Sequence, residues 1–399
     1  MLLSTQKMIR TVGAKLSLAE EKVNELLAVS KVHEFEVGTK SGKKFKAYRV
    51  QHNNKRGPFK GGIRFHPEVN KEEVQALATL MSFKTAAIGL PLGGGKGGVS
   101  VNPRELSDEE LEDVARDYAR KLAPHIGPEV DVPAPDVNTN PKIIDWMADE
   151  YAAITGDTSN ATFTGKSLAK GGSEGRDAAT GRGGVIVMAE LLRLAGEAGK
   201  PLTFAVQGFG NVGSFFALVA ATDHPEWKIV SASDSSATLS DPDGLAVSDL
   251  VAFKQERGSF RDYSMAEVSD VEDVISAEVD VLVLAALGDA VDEHNYSTVK
   301  AKYILELANA PVSEGAYELL TKKGVVVVPD ILANAGGVTV SYLEWLQNLR
   351  SQKWAEPKVN KQLKDYMINA TQEIFAESQS QKASLKEAAL MIAAKRLLA

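Results

Sequence analysis

The feature that most constrains the fold of this chain is a glycine fingerprint near its middle. Gly208, Gly210 and Gly213 have the spacing GxGxxG, after the apolar stretch Leu202–Gln207 and before the helical stretch 214–221. Glycines at this spacing allow a tight turn and let a pyrophosphate approach the backbone at the amino terminus of the helix. The sequence therefore predicts the strand–turn–helix unit of a dinucleotide-binding domain.

The residues that follow fit the same unit. Trp227–Ala232 is typical of a second strand, and Asp234 comes just beyond it, 21 residues after Gly213. An acid about 20 residues after the fingerprint commonly binds the adenosine ribose. Because no Lys or Arg directly follows Asp234, we expect a free 2′-hydroxyl and hence NAD, with NADP as the alternative. The competing interpretation is a strand–helix turn of some other doubly wound protein.

Further short strands of the parallel type are predicted at 279–284, 303–305 and 325–328, each rich in valine, isoleucine or leucine. Asn309 follows the second of them and Asn334 follows the third. Ligands of such sheets bind beyond the carboxyl ends of the strands, so both amides are candidates for cofactor contact. For either one alone, an asparagine that only shapes a turn is an equal alternative.

Before this region, the stretch 56–98 carries three lysines in a glycine-rich setting. Lys60 lies in the sequence GPFKGG, Lys96 lies in the run GGGKGG, and Lys84 lies near the end of the helical stretch 72–87. We expect a turn around Lys60, and the glycines beside Lys60 and Lys96 let the backbone approach a small ligand. Three ammonium groups suit a substrate with more than one carboxylate, and their repulsion lowers the pKa of the most buried one. The alternative is a flexible surface turn.

A proline-rich segment then leads to Asp136, in the sequence DVPAPD. Prolines stiffen and extend the backbone, so this segment is predicted to deliver a carboxylate at a fixed point, as proton transfer requires. Taken alone, Asp136 is more typical of a loop or a helix cap. Ser17 and Ser107 are each predicted to cap the start of a helix.

Composition limits the class of protein. A chain of 399 residues is expected to form two domains, with the boundary near Gly171, and its net charge of −8 argues against nucleic acid as the main partner. There is no cysteine, which excludes disulfides and thiolate chemistry. No apolar run approaches the ~18 residues of a membrane helix, and no signal peptide is evident. We therefore expect a cytoplasmic protein without membrane or metal partners.

Five motifs occur in order along the chain and together carry a family resemblance. They are GPFKGGIRF at 57–65, LPLGGGKGG at 90–98, DVPAPD at 131–136, the fingerprint at 208–213 and NAGGVTVS at 334–341. With them the chain resembles the glutamate dehydrogenases, within the wider glutamate/leucine/phenylalanine/valine dehydrogenase family, over essentially its whole length.

The resemblance implies an α/β fold with two domains and a cleft between them. A substrate domain with a mixed sheet is expected at 1–170, joined by a C-terminal helix at about 375–399. A Rossmann-type dinucleotide-binding domain is expected at 171–374. The family usually assembles as a hexamer, so the resemblance implies a homohexamer.

The resemblance also implies roles for individual residues. Lys96 and Asp136 are expected to be catalytic, as the lysine that activates water and the carboxylate that moves protons. Lys84 is expected to bind the substrate α-carboxylate, and Lys60 and Ser341 its side-chain carboxylate. The expected cofactor-binding residues are Thr180, Gly208, Gly210, Asn211, Val212, Gly213, Asp234, Asn309 and Asn334.

The reaction so implied is the reversible oxidative deamination of L-glutamate to 2-oxoglutarate and ammonia. Relatives that act on apolar amino acids typically have an apolar residue at the position of Lys60, so glutamate is favoured over leucine, valine or phenylalanine. A non-catalytic dinucleotide-binding regulatory protein on the same fold is a third hypothesis, but such a protein is expected to lack Lys96 or Asp136, and both are present.

Overall fold

The structure is a computed structural model that describes residues 1–286 and 288–399. The chain folds into two compact units. Unit 1 comprises Met1–Arg176, Val338–Gln362 and Leu390–Ala399, and unit 2 comprises Asp177–Gly337 and Leu363–Ala389. The domain division predicted from the sequence, 1–170 with 375–399 against 171–374, stays a prediction about functional domains. The compact units differ from it by assigning 171–176 and Val338–Gln362 to unit 1 and 375–389 to unit 2.

The strands of the described residues follow one another along the chain in two groups, five in unit 1 and seven in unit 2. They are β1 (Lys31–Gly38), β2 (Lys44–Asn53), β3 (Phe59–Phe65), β4 (Gly94–Val99), β5 (Asp131–Pro135), β6 (Leu202–Gln207), β7 (Trp227–Ser233), β8 (Thr238–Ser240), β9 (Glu267–Ser269), β10 (Val281–Leu284), β11 (Tyr303–Glu306) and β12 (Val326–Val328).

The α-helices of the described residues precede, separate and follow these strands along the chain. They are α1 (Leu2–Lys15), α2 (Glu20–Leu27), α3 (Lys71–Ala87), α4 (Asp108–Leu122), α5 (Pro141–Thr155), α6 (Ala179–Leu194), α7 (Asn211–Asp223), α8 (Val247–Arg257), α9 (Glu314–Lys323), α10 (Asp330–Ala333), α11 (Gly336–Leu349), α12 (Glu356–Gln381) and α13 (Leu385–Leu398). Within residues 1–286 and 288–399, each helix is too short or too polar to span a lipid bilayer.

The sheet of unit 1 is mixed, with the strand order β1-β2-β4-β3-β5. β1, β2 and β4 pair antiparallel, whereas β3 pairs parallel with both β4 and β5. β5 lies at an edge, where a strand tolerates prolines because it needs fewer ladder hydrogen bonds. The proline-rich segment is thus an edge strand. Buried apolar side chains of the neighbouring strands pack against α4 and α5.

The sheet of unit 2 has the order β12-β11-β10-β6-β7-β8-β9. The first five strands are parallel and the last two are antiparallel. The strands predicted from valine-rich runs are confirmed as parallel. β10 and β11 are fully buried inside the sheet, whereas β12 lies at its edge. The mixed α/β class predicted from the sequence is therefore confirmed, and β8 and β9 are antiparallel additions that were not predicted.

The two predicted helix caps have opposite outcomes. Ser107 caps α4 in a full capping box with Glu110, as predicted. Ser17 was wrongly predicted to cap a helix, because its φ is 52° and α2 begins later, after Ala19. An N-cap residue is normally extended, so a serine in the left-handed region cannot serve as one. Ser17 instead follows the unpredicted helix α1.

Candidate active site

Lys96 and Asp136 lie side by side in unit 1. Lys96 points from the middle of β4, and Asp136 comes directly after β5. The Lys96 Nζ donates to Asp136 Oδ1 at 2.5 Å, and their side chains are only 8% and 18% exposed. Asp136 does not cap the following helix, since Asn140 accepts from the Ile143 N–H at its start. The structure therefore brings together the two residues expected to be catalytic.

Asp136 is also held on its other oxygen. The Arg64 Nε donates to Asp136 Oδ2 at 2.8 Å. Burial would raise the pKa of the Asp136 carboxyl, but the charges of Lys96 and Arg64 outweigh it and hold this pKa well below its usual range. The backbone is fixed as well, because the Asp136 N–H donates to Thr139 Oγ1 at 2.7 Å. The carboxylate is thus ionised and fixed in one orientation.

Lys60 is a buried cation on β3. Its side chain is almost fully enclosed, and its Nζ donates to Thr164 Oγ1 at 2.8 Å. Burial is the main cause that lowers the pKa of Lys60 well below its ordinary value, followed by the charge of Arg176. The direction agrees with the sequence prediction, but the cause differs from the expected repulsion among three lysines.

Ser341 lies on α11 and is held by an arginine. The Arg176 Nη1 donates to Ser341 Oγ at 2.7 Å. One turn along α11, the buried Glu344 accepts from the Lys166 Nζ at 2.8 Å and lies 3.7 Å from the Arg176 guanidinium. The charges of Arg176 and Glu344 both act on Lys60. This part of unit 1 therefore gathers Lys60, Arg176 and the hydroxyls of Thr164 and Ser341 beside the buried Lys166–Glu344 ion pair.

Thr164 and Arg176 were not predicted as site residues. Both lie within seven residues of Gly171, where the sequence predicts a domain boundary. Their contacts join residues 104 and 165 positions apart in the chain. Local sequence patterns cannot predict contacts between residues so far apart in the chain. The sequence signal for this site is an arginine beside a glycine-rich stretch.

Lys84 lies in the last turn of α3 and is half-buried. α3 packs directly on β4, where a Cβ on Gly94 would lie 2.2 Å from the Ser82 backbone nitrogen. Glycine at this position therefore lets the helix of Lys84 approach the strand of Lys96.

The glycine run around Lys96 is a strand and not the alternative surface turn, and the prediction of a turn at Lys60 was wrong because Lys60 lies on β3. Large side chains and neighbouring backbone occupy the space that its Cβ atoms would need. A Cβ on Gly97 would lie 2.3 Å from Tyr118 Oη and 3.3 Å from Arg49 Cδ, and one on Gly61 would lie 1.7 Å from the Gly95 carbonyl oxygen. These glycines serve packing within the sheet.

Arg49 explains much of this crowding. It starts on β2, and its Nε donates to Asp131 Oδ2 on β5 at 2.9 Å, although β4 and β3 lie between these strands in the sheet. Its Nη1 donates to the Gly61 carbonyl at 3.0 Å, beside Lys60. Both charged side chains are completely buried. The pair ties β2, β3 and β5 together beneath the candidate site.

In unit 2, the fingerprint has the geometry that its glycines predict. Gly208 has a φ of 90°, and a Cβ on Gly213 would lie 2.0 Å from the Gly208 carbonyl oxygen, so both positions require glycine. Gly210 caps α7 and has open space on its Cβ side. Asn211 and Val212 form the first turn of α7. An open glycine at a helix amino terminus fits a pyrophosphate, so these residues suit a dinucleotide.

Asp234 follows β7, as predicted, but it is more enclosed than a ribose-binding acid needs to be. Its Oδ1 accepts from the Ser236 N–H at 2.7 Å, its Oδ2 accepts from the Phe260 N–H at 3.0 Å, and its side chain is 4% exposed. Lys254 of α8 forms an ion pair with the same carboxylate. A basic side chain therefore does stand beside Asp234, although none follows it directly in sequence.

The remaining cofactor candidates lie in two places in unit 2. The Asn334 Nδ2 donates to Asn309 Oδ1 at 3.1 Å and to the Ala308 carbonyl at 3.1 Å, so the two predicted asparagines meet. Thr180 lies in the first turn of α6, where its Oγ1 would be 3.0 Å from a Cβ on Gly337.

Comparison with known families covers both units. Residues 171–399 match the family model described as Glutamate/Leucine/Phenylalanine/Valine dehydrogenase. Residues 29–153 match the model described as Glu/Leu/Phe/Val dehydrogenase, dimerisation domain. The chain belongs to the glutamate/leucine/phenylalanine/valine dehydrogenase family. The resemblance inferred from the five sequence motifs is thereby confirmed.

Individual relatives within this family are similar over most of their length. The chain is 44% identical to the glutamate dehydrogenase of Thermotoga maritima, covering 88% of this chain and 85% of that one. It is also 44% identical to the NADP-specific glutamate dehydrogenase A1 of Halobacterium salinarum, covering 89% and 85%. The hetero-hexameric glutamate dehydrogenase of Thermus thermophilus, in a leucine-bound form, matches with a TM-score of 0.91 and 32% identity, covering 100% and 95%.

Proposed function

We propose that this family member is a glutamate dehydrogenase, which converts L-glutamate and water to 2-oxoglutarate and ammonia with NAD(P) as the oxidant. The observation that carries the proposal is the cluster of polar side chains formed by Lys60, Thr164, Arg176 and Ser341. An apolar side chain placed there would leave the buried Lys60 ammonium with the neutral Thr164 hydroxyl as its hydrogen-bond partner and no carboxylate in contact, at a cost of several kcal/mol. A side-chain carboxylate supplies that contact.

The residues of unit 1 supply the remaining chemistry of the proposal. When bound, the nicotinamide accepts the hydride from Cα. Lys84 holds the α-carboxylate, and Lys96 activates the water that attacks the resulting iminium carbon and stabilises the developing oxyanion. Asp136 carries protons to and from the substrate nitrogen. The direct Lys96–Asp136 contact at 2.5 Å supports this pairing, because protons exchange readily across so short a distance.

In the proposal, the cofactor binds at the fingerprint of unit 2, with Thr180, Asn309 and Asn334 as further contacts. NAD is the expected cofactor and NADP the alternative. The ion pair of Asp234 with Lys254 weakens the repulsion that a lone carboxylate would exert on a 2′-phosphate. Both cofactors are therefore included in the test.

The assembly proposed is a homohexamer, and the compartment proposed is the cytoplasm. A structural relative is a hetero-hexamer by its own description, and a family model that covers residues 29–153 describes a dimerisation domain. Sedimentation velocity on the purified chain tests the assembly. If this chain alone forms hexamers, no second kind of subunit is required.

The activity test uses glutamate, leucine, valine and phenylalanine, each with NAD and NADP. Wild type should prefer glutamate, and Lys60→Leu should lose most of its kcat/KM for glutamate while its activity on leucine rises. Lys142→Leu is the matched control, because Lys142 is an exposed lysine whose ion pair is with the exposed Asp108. Preference of the wild type for an apolar amino acid, or unchanged glutamate kinetics in Lys60→Leu, would contradict the proposal.

A further inference from the structure

Arg64 is the second cation on the Asp136 carboxylate, and nothing in the family comparison assigns it a role. It lies on β3, four residues after Lys60. Its Nε donates to Asp136 Oδ2 at 2.8 Å, while Lys96 takes Oδ1. The carboxylate is thus divided between two cations, one on each oxygen.

The guanidinium of Arg64 is itself anchored from the other side. Its Nη1 donates to Glu73 Oε1 at 2.6 Å, and the side chains of both residues are 20% exposed. Glu73 lies in the first turn of α3, where its N–H donates to the N-cap residue Asn70 at 3.0 Å. The start of α3 therefore fixes Glu73, Glu73 fixes Arg64, and Arg64 fixes one oxygen of Asp136.

We propose that Arg64 is a positioning residue for proton transfer: it occupies Asp136 Oδ2 so that Oδ1 alone faces Lys96 and the substrate nitrogen. This inference rests on the proposed function. A guanidinium is planar and presents several donors in a fixed fork, so one arginine can hold two carboxylates in a set geometry. A lysine at this position supplies charge but not that fork.

The arrangement also separates two kinds of cation. Lys96 can give up its proton during the reaction, whereas a guanidinium stays charged at every working pH. When Lys96 becomes neutral, Asp136 still has Arg64 as its counter-ion and keeps its orientation. Arg64 therefore acts on the chemical step through Asp136 and makes no contact with the substrate in this proposal.

The experiment compares Arg64→Gln, Arg64→Lys and Arg64→Ala with wild type, using glutamate and the cofactor that wild type prefers. Arg64→Gln should lower kcat on the order of tenfold, less than the ~10²–10⁴ of a lost acid–base group, and leave KM for glutamate within about threefold. Arg64→Lys should fall between Arg64→Gln and wild type. Added guanidinium at non-denaturing concentration should restore part of the kcat of Arg64→Ala, whereas sodium chloride at equal ionic strength should not.

Arg116→Gln is the matched control. Arg116 also bridges two carboxylates in unit 1, at 2.7 Å from Glu112 and 3.7 Å from Glu150, with a similarly exposed side chain. Its kcat should match wild type. Glu73→Gln is the second variant should Arg64→Gln not fold, and it should lower kcat by a smaller factor without changing KM.

The outcomes separate this inference from the proposed function. Wild type without glutamate activity would remove the proposed function itself. If wild type is active on glutamate and Arg64→Gln has the same kcat as wild type, only the positioning role is overturned. The positioning role is likewise overturned if KM rises as much as kcat falls, or if guanidinium and sodium chloride act alike on Arg64→Ala.

Discussion

Of three cations in unit 1, two share one carboxylate and the third has a neutral hydrogen-bond partner. Lys96 and Arg64 share the Asp136 carboxylate, whereas the described hydrogen bond of Lys60 goes to the neutral hydroxyl of Thr164. Burial has already lowered the pKa of Lys60. A carboxylate placed beside it would raise that pKa again, because an opposite charge favours the protonated amine. Binding of an acidic side chain at Lys60 is therefore expected to take up protons at alkaline pH.

The proton-transfer role of Asp136 gives a prediction at the scale of a single residue. Asp136→Asn keeps the size of the side chain but removes the proton acceptor, so kcat should fall by ~10²–10⁴ with a smaller change in KM. Steady-state kinetics and the melting temperature are measured on the same preparation. Asp108→Asn, at an exposed ion pair, is the control and should match wild type. A lower melting temperature with the wild-type kcat would show that Asp136 only stabilises its loop.

At the scale of the elements, strand β4 shows how a glycine run can serve packing. Tyr118 of α4 lies over Gly97, and its hydroxyl donates to the Tyr48 carbonyl at 2.8 Å. Arg49 passes the same strand on its way to Asp131. A surface turn was an alternative for the sequence GGGKGG because glycine is typical of turns. The contacts that β4 makes with Tyr118 and Arg49 show why a strand here needs glycine.

Gly97→Ala tests this packing. The added methyl meets the Tyr118 hydroxyl at 2.3 Å, so the variant should lose ~1–3 kcal/mol of unfolding free energy, as overpacked cores do. Tyr118→Phe alone should lose ~1 kcal/mol with its hydrogen bond. The double variant should be more stable than the sum of the two losses predicts, since the clash is relieved. Urea unfolding of all four proteins measures the coupling, and strict additivity would contradict the packing role.

Much of the fold was predictable from the chain because its signals are local. The parallel strands β10, β11 and β12 are short apolar runs between helical stretches. The glycine fingerprint is recognisable because a strand directly precedes it and a helix directly follows it. The grouping of the site was not predictable in the same way. Thr164, Arg176 and Lys254 contribute through contacts between residues far apart in sequence, which a scan of neighbouring positions cannot reveal.

At the scale of the whole molecule, the buried Glu306 should shape the dependence of stability on pH. Its Oε2 accepts from the Asp330 N–H at 2.9 Å, while its Oε1 has no hydrogen-bond partner among the described residues. Burial and the nearby Asp330 charge raise the pKa of Glu306 to about 8, and the charge of Lys386 opposes this only in part. The folded protein therefore holds a proton here that the unfolded chain releases above its ordinary pKa of 4.5.

The sign of the effect follows from this difference. As pH rises from 4.5 to about 8, the unfolded state is ionised while the folded state stays protonated, so stability falls, by on the order of a few kcal/mol. Glu306→Gln removes the titration and should stabilise the protein more at pH 8.5 than at pH 5. Melting temperatures at the two pH values measure it, and an equal change at both would contradict the prediction.

The division of the chain between the two units has a consequence for synthesis on the ribosome. Unit 1 begins with Met1–Arg176 but also needs Val338–Gln362, which carries Ser341, and Leu390–Ala399. Arg396 in the last segment donates to the carbonyls of Ala86 and Ala87 at the end of α3, the helix of Lys84. At ~5–20 residues per second, on the order of ten seconds pass between Arg176 and the return of the chain to unit 1. During that interval unit 1 is incomplete, and the surface of its amino-terminal part that α11 will cover is still exposed to water and to chaperones.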